Sequence, residues 1–263
     1  MRTPRRAAAA RARRPALPER PRAARPRLVV LTRRDGIATL ALPEPRVDLA
    51  LAQALVEAAE TIAHDETIRV ALLHGPPGLF CLGSEHAAPE WPDWVAALGA
   101  LAVPVIAAVG GAAVAEGAEL SLAADIRIVA PRAWFAFPHL TSGSLPRHGA
   151  TQRLPRLVGR TRALELLLSG RRIGAREAQR IGLATLIAAP PLIAARALAA
   201  ELCTKGPIAL RLAKEAVGRS LDLTLEQGVR LEQDLYVLLQ TTADRATGVR
   251  AFVAKRQPKF KGR

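Results

Sequence analysis

The stretch from Val103 to Leu157 constrains this chain most. Val105–Val109 is an uncharged run of small and β-branched residues, the pattern of a strand buried on both faces. Gly110 and Gly111 end it, and a short helix is expected over Gly117–Ala123, with Glu119 set in an apolar run. A second strand is expected over Ile126–Val129. An aromatic segment follows, Trp134-Phe135-Ala136-Phe137, then a loop holding Pro138, His139, Gly143, Pro146 and Gly149. A strand, a glycine turn and a helix N-terminus together aim backbone N–H groups outward at an anion. A carboxylate one turn into such a helix is costly to bury unless it has a partner or a task.

The remaining chain reads as alternating short strands and helices. Leu28–Thr32 and Ile37–Leu42 flank the turn Arg33-Arg34-Asp35-Gly36 as two strands, closed by Pro43 and Pro45. Leu49–Ile62 has helical apolar spacing, and Val70–Leu73 is a further buried strand. Thr161–Ser169 and Ala175–Ile181 read as helices, with Gly170 and Gly182 at their C-terminal ends. Pro191–Lys205, Pro207–Ser220 and Thr224–Ala246 read as three more.

Charge has to be localised before it is interpreted. The net +15 is concentrated in residues 1–27, which hold ten arginines against one glutamate. That Arg/Ala/Pro-rich segment is expected to be a disordered tail, because its prolines break any helix and it has no apolar core. It carries no secretory h-region, and it lacks the serine of a transit peptide. The remaining moderate positive charge suits a small anionic ligand. Nucleic acid is not expected as a partner: no recognition motif is present and aromatics are only 3% of the chain. No apolar run reaches the roughly 18 residues of a membrane span, so no membrane partner is expected and the location is expected to be cytoplasmic. Cys81 and Cys203 form no CxxC pair or zinc-type cluster, so they read as core thiols and no metal is expected.

A long series of residues in register gives the chain a relative. Pro104–Val109, Gly117-Ala118-Glu119-Leu120 and Asp125-Ile126 are followed by Phe135, Pro138, Gly143, Pro146, Thr151-Gln152-Arg153-Leu154 and Val158-Gly159. Leu168-Ser169-Gly170, Glu177-Ala178 and Gly182-Leu183 continue the series, and Asp244, Gly248 and Ala251-Phe252 close it. In these residues the chain resembles the enoyl-CoA hydratase/isomerase (crotonase) superfamily, from about Leu28 to the C-terminus. The resemblance implies an α/β fold, a crotonase-like ββα spiral core over about 28–189 with a C-terminal helical trimerisation region over 190–263. It implies an acyl-CoA thioester as substrate, hydration of a 2-enoyl-CoA through an enolate as the reaction, and a homotrimer or hexamer. It implies no cofactor beyond the coenzyme A carried by the substrate.

Site residues follow from the same resemblance. The loop Gly75–Glu85 matches the family's first oxyanion segment, placing that backbone N–H on Leu82, beside Gly83. The second N–H falls on Glu116, with Gly117 adjacent to it. Two preset N–H donors stabilise a thioester enolate far better than water does. Glu119 matches the first of two catalytic glutamates, and His139 stands at the second. A histidine titrates near neutrality and can give or take a proton. Glu116 stands where a glycine is usual, so its side chain either points away from the enolate, pairs with His139, or replaces the missing carboxylate as a third catalytic residue. The coenzyme A side of the site is assigned to Arg46, Val47, Leu82 and Gly83, with Lys255, Lys259 and Phe260 from the C-terminus. Solvated loop residues are the plain alternative for Arg46 and for the C-terminal basic residues. His148 reads as a surface loop residue, and Asp125 as a backbone tie at a strand start. The segment His86–Val103 is shorter than in typical members and shapes the acyl pocket in them. Other enolate-forming reactions on the same scaffold are hydrolysis, decarboxylation and isomerisation. A silent acyl-CoA-binding homologue is the alternative outside enzymology.

Overall fold

A computed structural model describes residues 29–84 and 90–263. The expected basic tail, and Glu85 and His86, lie outside the described residues.

The chain opens on a hairpin, β1 (Val30–Arg34) and β2 (Ile37–Ala41), which pair antiparallel. The turn is tighter than the four residues expected. Asp35 and Gly36 both have positive φ, 53° and 80°, as a two-residue hairpin turn requires. Helix α1 (Leu49–His64) follows, its start capped by the Asp48 side chain on the Leu51 N–H.

From here the topology repeats. Strand β3 (Val70–His74) enters a six-stranded sheet, and β4 (Leu79–Cys81) enters a second, four-stranded sheet. Helix α2 (Trp94–Gly99) completes the turn. The same path is traced by β5 (Val105–Val109), β6 (Ala112–Val114) and α3 (Glu116–Ala123). It is traced again by β7 (Ile126–Val129) and β8 (Trp134–Ala136), then a 3₁₀ turn (Pro138–Ser142) and helices α4 (Ala150–Val158) and α5 (Arg160–Ser169). Each turn thus lays one parallel strand on each sheet. This is the expected ββα spiral.

Glycines hold the turns of the spiral against each other. A Cβ on Gly111 would overlap the Gly78 carbonyl, and one on Gly117 would overlap the Cys81 carbonyl. The second contact presses the first turn of α3 onto β4.

The spiral ends in short pieces: β9 (Ile173–Gly174), α6 (Ala175–Arg180) and β10 (Leu186–Ile187). β10 edges the six-stranded sheet beside β7. Alternation along the strands divides two cores. Ala71, Leu73, Val105, Ala107 and Val109 face the main core, whereas Val70, Leu72, Ile106 and Ala108 face Ala195 and Ala199 of α7 (Pro191–Cys203).

The C-terminal region is helical: α8 (Pro207–Arg219), α9 (Leu225–Gln240) and α10 (Ala243–Val253). The single helix expected over Thr224–Ala246 is two, because Thr242 caps a new helix on the Arg245 N–H. Helix α9 buries no residue, and Leu225, Tyr236, Phe252 and Val253 are all more than half exposed. No helix among the described residues is long and apolar enough to cross a membrane.

Gly111→Ala is expected to lower stability by about 1–3 kcal/mol or more, since backbone has to move to admit the methyl group. A urea unfolding midpoint equal to wild type would contradict this.

Candidate active site

Glu119 lies in the first turn of α3 and is fully buried. Its Oε1 accepts two main-chain hydrogen bonds, from the N–H groups of His148 and Ala150, both at 2.9 Å. Charge-assisted bonds of this kind, with the helix N-terminus nearby, make a buried carboxylate tolerable. Its Oε2 has no hydrogen-bond partner among the described residues.

His139 is the residue that faces it. The 3₁₀ turn after Pro138 places its Nε2 3.4 Å from Glu119 Oε2, with the ring 5% exposed. The two make no hydrogen bond, and both ring nitrogens also lack hydrogen-bond partners among the described residues. Ser142 and Ser144 fix the turn by donating to the His139 carbonyl at 2.9 and 3.0 Å. Two proton-carrying groups thus sit side by side in the interior with their reactive atoms uncommitted. Unpaired buried polar atoms are rare enough to ask for a reason, and an acid–base task is one.

Glu116 opens α3. Ala115 before it has φ 51°, strained for a residue with a Cβ. Among the described residues no group accepts the Glu116 N–H. Its carboxylate turns toward β4 and accepts the Ser84 N–H at 3.2 Å. Of the alternatives for the Glu116 side chain, the pairing with His139 is not what the structure holds: it turns to Ser84, and His139 faces Glu119. Gly117 is pressed against the Cys81 carbonyl.

Leu82 departs from expectation. Its N–H donates to the Pro45 carbonyl at 2.6 Å, so in this conformation it is not free for an enolate oxygen. The cause is the short loop after β2. Val47 bridges Ser84 as a parallel strand and donates to the Gly83 carbonyl at 2.9 Å. Val47, assigned to coenzyme A, is fully buried and serves as this strut. Gly83 is buried at φ 89°, against the Glu116 carboxylate. Arg46 is exposed on the same loop.

The C-terminal residues lie elsewhere in the chain. The Phe260 ring packs on Gly206 and Gly248, and its carbonyl accepts from Arg69 Nη2 at 2.8 Å. Arg69 precedes β3, whereas the Leu82 loop packs beyond the strand's other end, a strand length of about 13 Å away. Within one chain Phe260 is thus an anchor, assisted by Asp244, whose carboxylate accepts the Lys261 and Gly262 N–H groups at 2.7 Å each. Lys255 and Lys259 are exposed.

Sequence reasoning missed His148. It is not at the surface but 4% exposed. Its Nδ1 lies 2.8 Å from Asp93 Oδ1, and its ring packs on Trp94 at 5.5 Å between centroids. Asp93 is held below the usual carboxylate range: burial pushes it up, but the Ala96 N–H and the His148 ring outweigh burial. The one available signal was Asp93 standing before an apolar segment as a helix cap. Arg127 was missed too. Its buried guanidinium donates to the carbonyls of Leu183, Ser121 and Ala124, closing the C-terminal end of α3. Asp125 ties backbone as expected, accepting the Val105 N–H at 2.7 Å, and also pairs with Lys214 at 2.6 Å.

A ββα spiral with an unengaged N–H at a helix start and a buried carboxylate one turn in defines a crotonase-type protein. A family profile described as Enoyl-CoA hydratase/isomerase matches residues 32–263, and the chain belongs to this family. It is 34% identical over 252 residues to the 2,3-dehydroadipyl-CoA hydratase of Escherichia coli (strain K12), covering 89% of this chain and 99% of that protein. It is 35% identical over 253 residues to the human enoyl-CoA hydratase domain-containing protein 2, mitochondrial, covering 87% of each. The crystal structure of enoyl-CoA hydratase from Bacillus anthracis superposes with a TM-score of 0.84 at 33% identity, covering 89% of this chain and 99% of that one.

Cys81 takes no part in this chemistry. Burial pushes its thiol up to about 12, so it stays protonated at neutral pH. It should resist a thiol reagent at pH 8 in the folded protein and react only on unfolding; titration of native and denatured protein with a chromogenic disulfide measures this.

Proposed function

We propose that the protein is an enoyl-CoA hydratase-type lyase, adding water across the double bond of a 2-enoyl-CoA. The observation that carries this is the buried, uncommitted pair of Glu119 Oε2 and His139 Nε2 at 3.4 Å. Those two atoms are suited to bind one water seated beside the pair and bonded to both. Glu119 takes a proton from that water as its oxygen bonds the β-carbon. The thioester oxygen gains charge and is met by the Glu116 N–H. The imidazolium of His139 then gives a proton to the α-carbon. The proton left on Glu119 crosses to His139, and the pair is restored. No metal or redox group enters this scheme.

His139 in place of a second glutamate is thus read as a working acid. Exposed Arg46 stands on the loop that would meet coenzyme A, and Lys255 and Lys259 serve it only where another copy of the chain presents them. A homotrimer or a hexamer is supported by the apolar faces of α8, α9 and α10. Sedimentation of the purified protein should give an assembly of three or six chains, and a monomer would contradict this.

A second reading rests on the Leu82–Pro45 hydrogen bond, which leaves one oxyanion donor instead of two. If that contact persists with ligand bound, the protein is a silent acyl-CoA binder.

Hydration of a short trans-2-enoyl-CoA, followed by loss of thioester absorbance, separates the two. Wild type should turn over, and Glu119→Gln should lose about 10²–10⁴-fold in kcat. Absence of turnover in wild type, with coenzyme A binding intact, would sink the hydratase reading and favour the second.

A further inference from the structure

We propose that Asp93 and His148 are positioning residues that hold the Glu119 carboxylate in its reactive orientation, a role that rests on the hydratase reading of the same site. Glu119 is not aimed by its own side-chain packing alone. Its Oε1 is fixed by the N–H groups of His148 and Ala150, so whatever fixes that piece of main chain fixes Oε2 against His139.

The His148 ring is what fixes it. One edge is held by Asp93 Oδ1 at 2.8 Å from Nδ1. The other edge faces Arg147, whose Nε–H donates to Nε2 at 3.3 Å. An arginine only donates, so on this geometry Nε2 is the ring's acceptor and Nδ1 its donor, toward Asp93. Trp94 packs against the ring at an interplanar angle of 53°. The carbonyl of the same residue accepts from Arg153 Nη1 at 2.7 Å. With ring and carbonyl both clamped, the His148 N–H has one direction left, toward Glu119. Asp93 itself cannot drift, because the same oxygen caps α2 on the Ala96 N–H at 2.9 Å. The start of α2, the loop before α4 and the first turn of α3 are thereby one unit.

The test is hydration of a short trans-2-enoyl-CoA by His148→Ala, His148→Asn and Asp93→Ser, beside amide hydrogen exchange at His148 or its replacement and at Ala150. The asparagine amide nitrogen stands in for the Nδ1 donor. The serine keeps a cap for α2 but drops the acceptor for His148. His148→Ala and Asp93→Ser should each lower kcat about tenfold or more, with KM within about twofold, since misplacing one reacting group costs rate and not binding. His148→Asn should recover most of the loss. Both amides should exchange faster in the two impaired variants. Unchanged kcat and unchanged exchange in Asp93→Ser would overturn the proposal, as would a loss confined to KM. Were wild type to hydrate nothing, the hydratase reading would fall by itself. Exchange would still decide the clamp: acceleration in Asp93→Ser upholds it and no change overturns it.

Discussion

Two main-chain N–H groups converge on one oxygen of a carboxylate that has no contact with solvent, and most of the local architecture exists to let them. An unpaired carboxylate in that position would cost several kcal/mol or simply take up a proton. The loop that supplies the N–H groups needs Gly149 at φ 96° to turn into α4, and Arg153 to hold the His148 carbonyl. The helix that supplies Glu119 is shut at its far end by Arg127 and pressed onto β4 at its near end by Gly117. Binding both N–H groups to Oε1 has a chemical consequence: the two oxygens become unlike, one structural and one available to a reacting molecule.

The same helix start explains why a glutamate is tolerated at position 116. An anion at a helix N-terminus is favoured by the unpaired N–H groups there. The Glu116 side chain is drawn outward to the Ser84 N–H, while its own N–H is left unclaimed among the described residues. A main-chain N–H does not depend on which side chain its residue carries, so the side chain can vary as long as it has somewhere else to go. The strain at Ala115, φ 51°, is offset by its N–H bond to Ala136 across the second sheet.

Elements that rest on a local cause were legible in the chain; those that rest on distant partners were not. β5 appears where the sequence places it because an uncharged run of small and β-branched residues has few other fates, and β7 because its three β-branched residues surround a single charge, Arg127. β9 and β10 are two residues each, too short to show any period. Helix α2 was hidden among prolines and tryptophans, and the break between α9 and α10 inside continuing apolar spacing. At the site, Glu119 was found through the resemblance, and the facing His139 with it. His148 was not, since its burial depends on Asp93, 55 positions earlier, and a histidine between Arg147 and Gly149 looks solvated. The anchoring of Phe260 within the chain has the same origin: its partner Arg69 lies 191 positions away.

The competition for the Leu82 N–H is decided by magnitudes. A backbone hydrogen bond such as Leu82 to Pro45 contributes about 0.5–1.5 kcal/mol net, because water offers nearly as good a partner. One oxyanion donor contributes about 2.7–4 kcal/mol to a transition state in a dry site. A developing enolate at this N–H would therefore exceed the Pro45 hydrogen bond by roughly 2 kcal/mol. The loop's anchor is Val47, buried and bonded to Gly83, and Pro45 lies two residues before that anchor. Turning the peptide after Pro45 would release Leu82 without moving Val47. The contact that argues for a silent protein is thus weaker than a charge developing beside it would be.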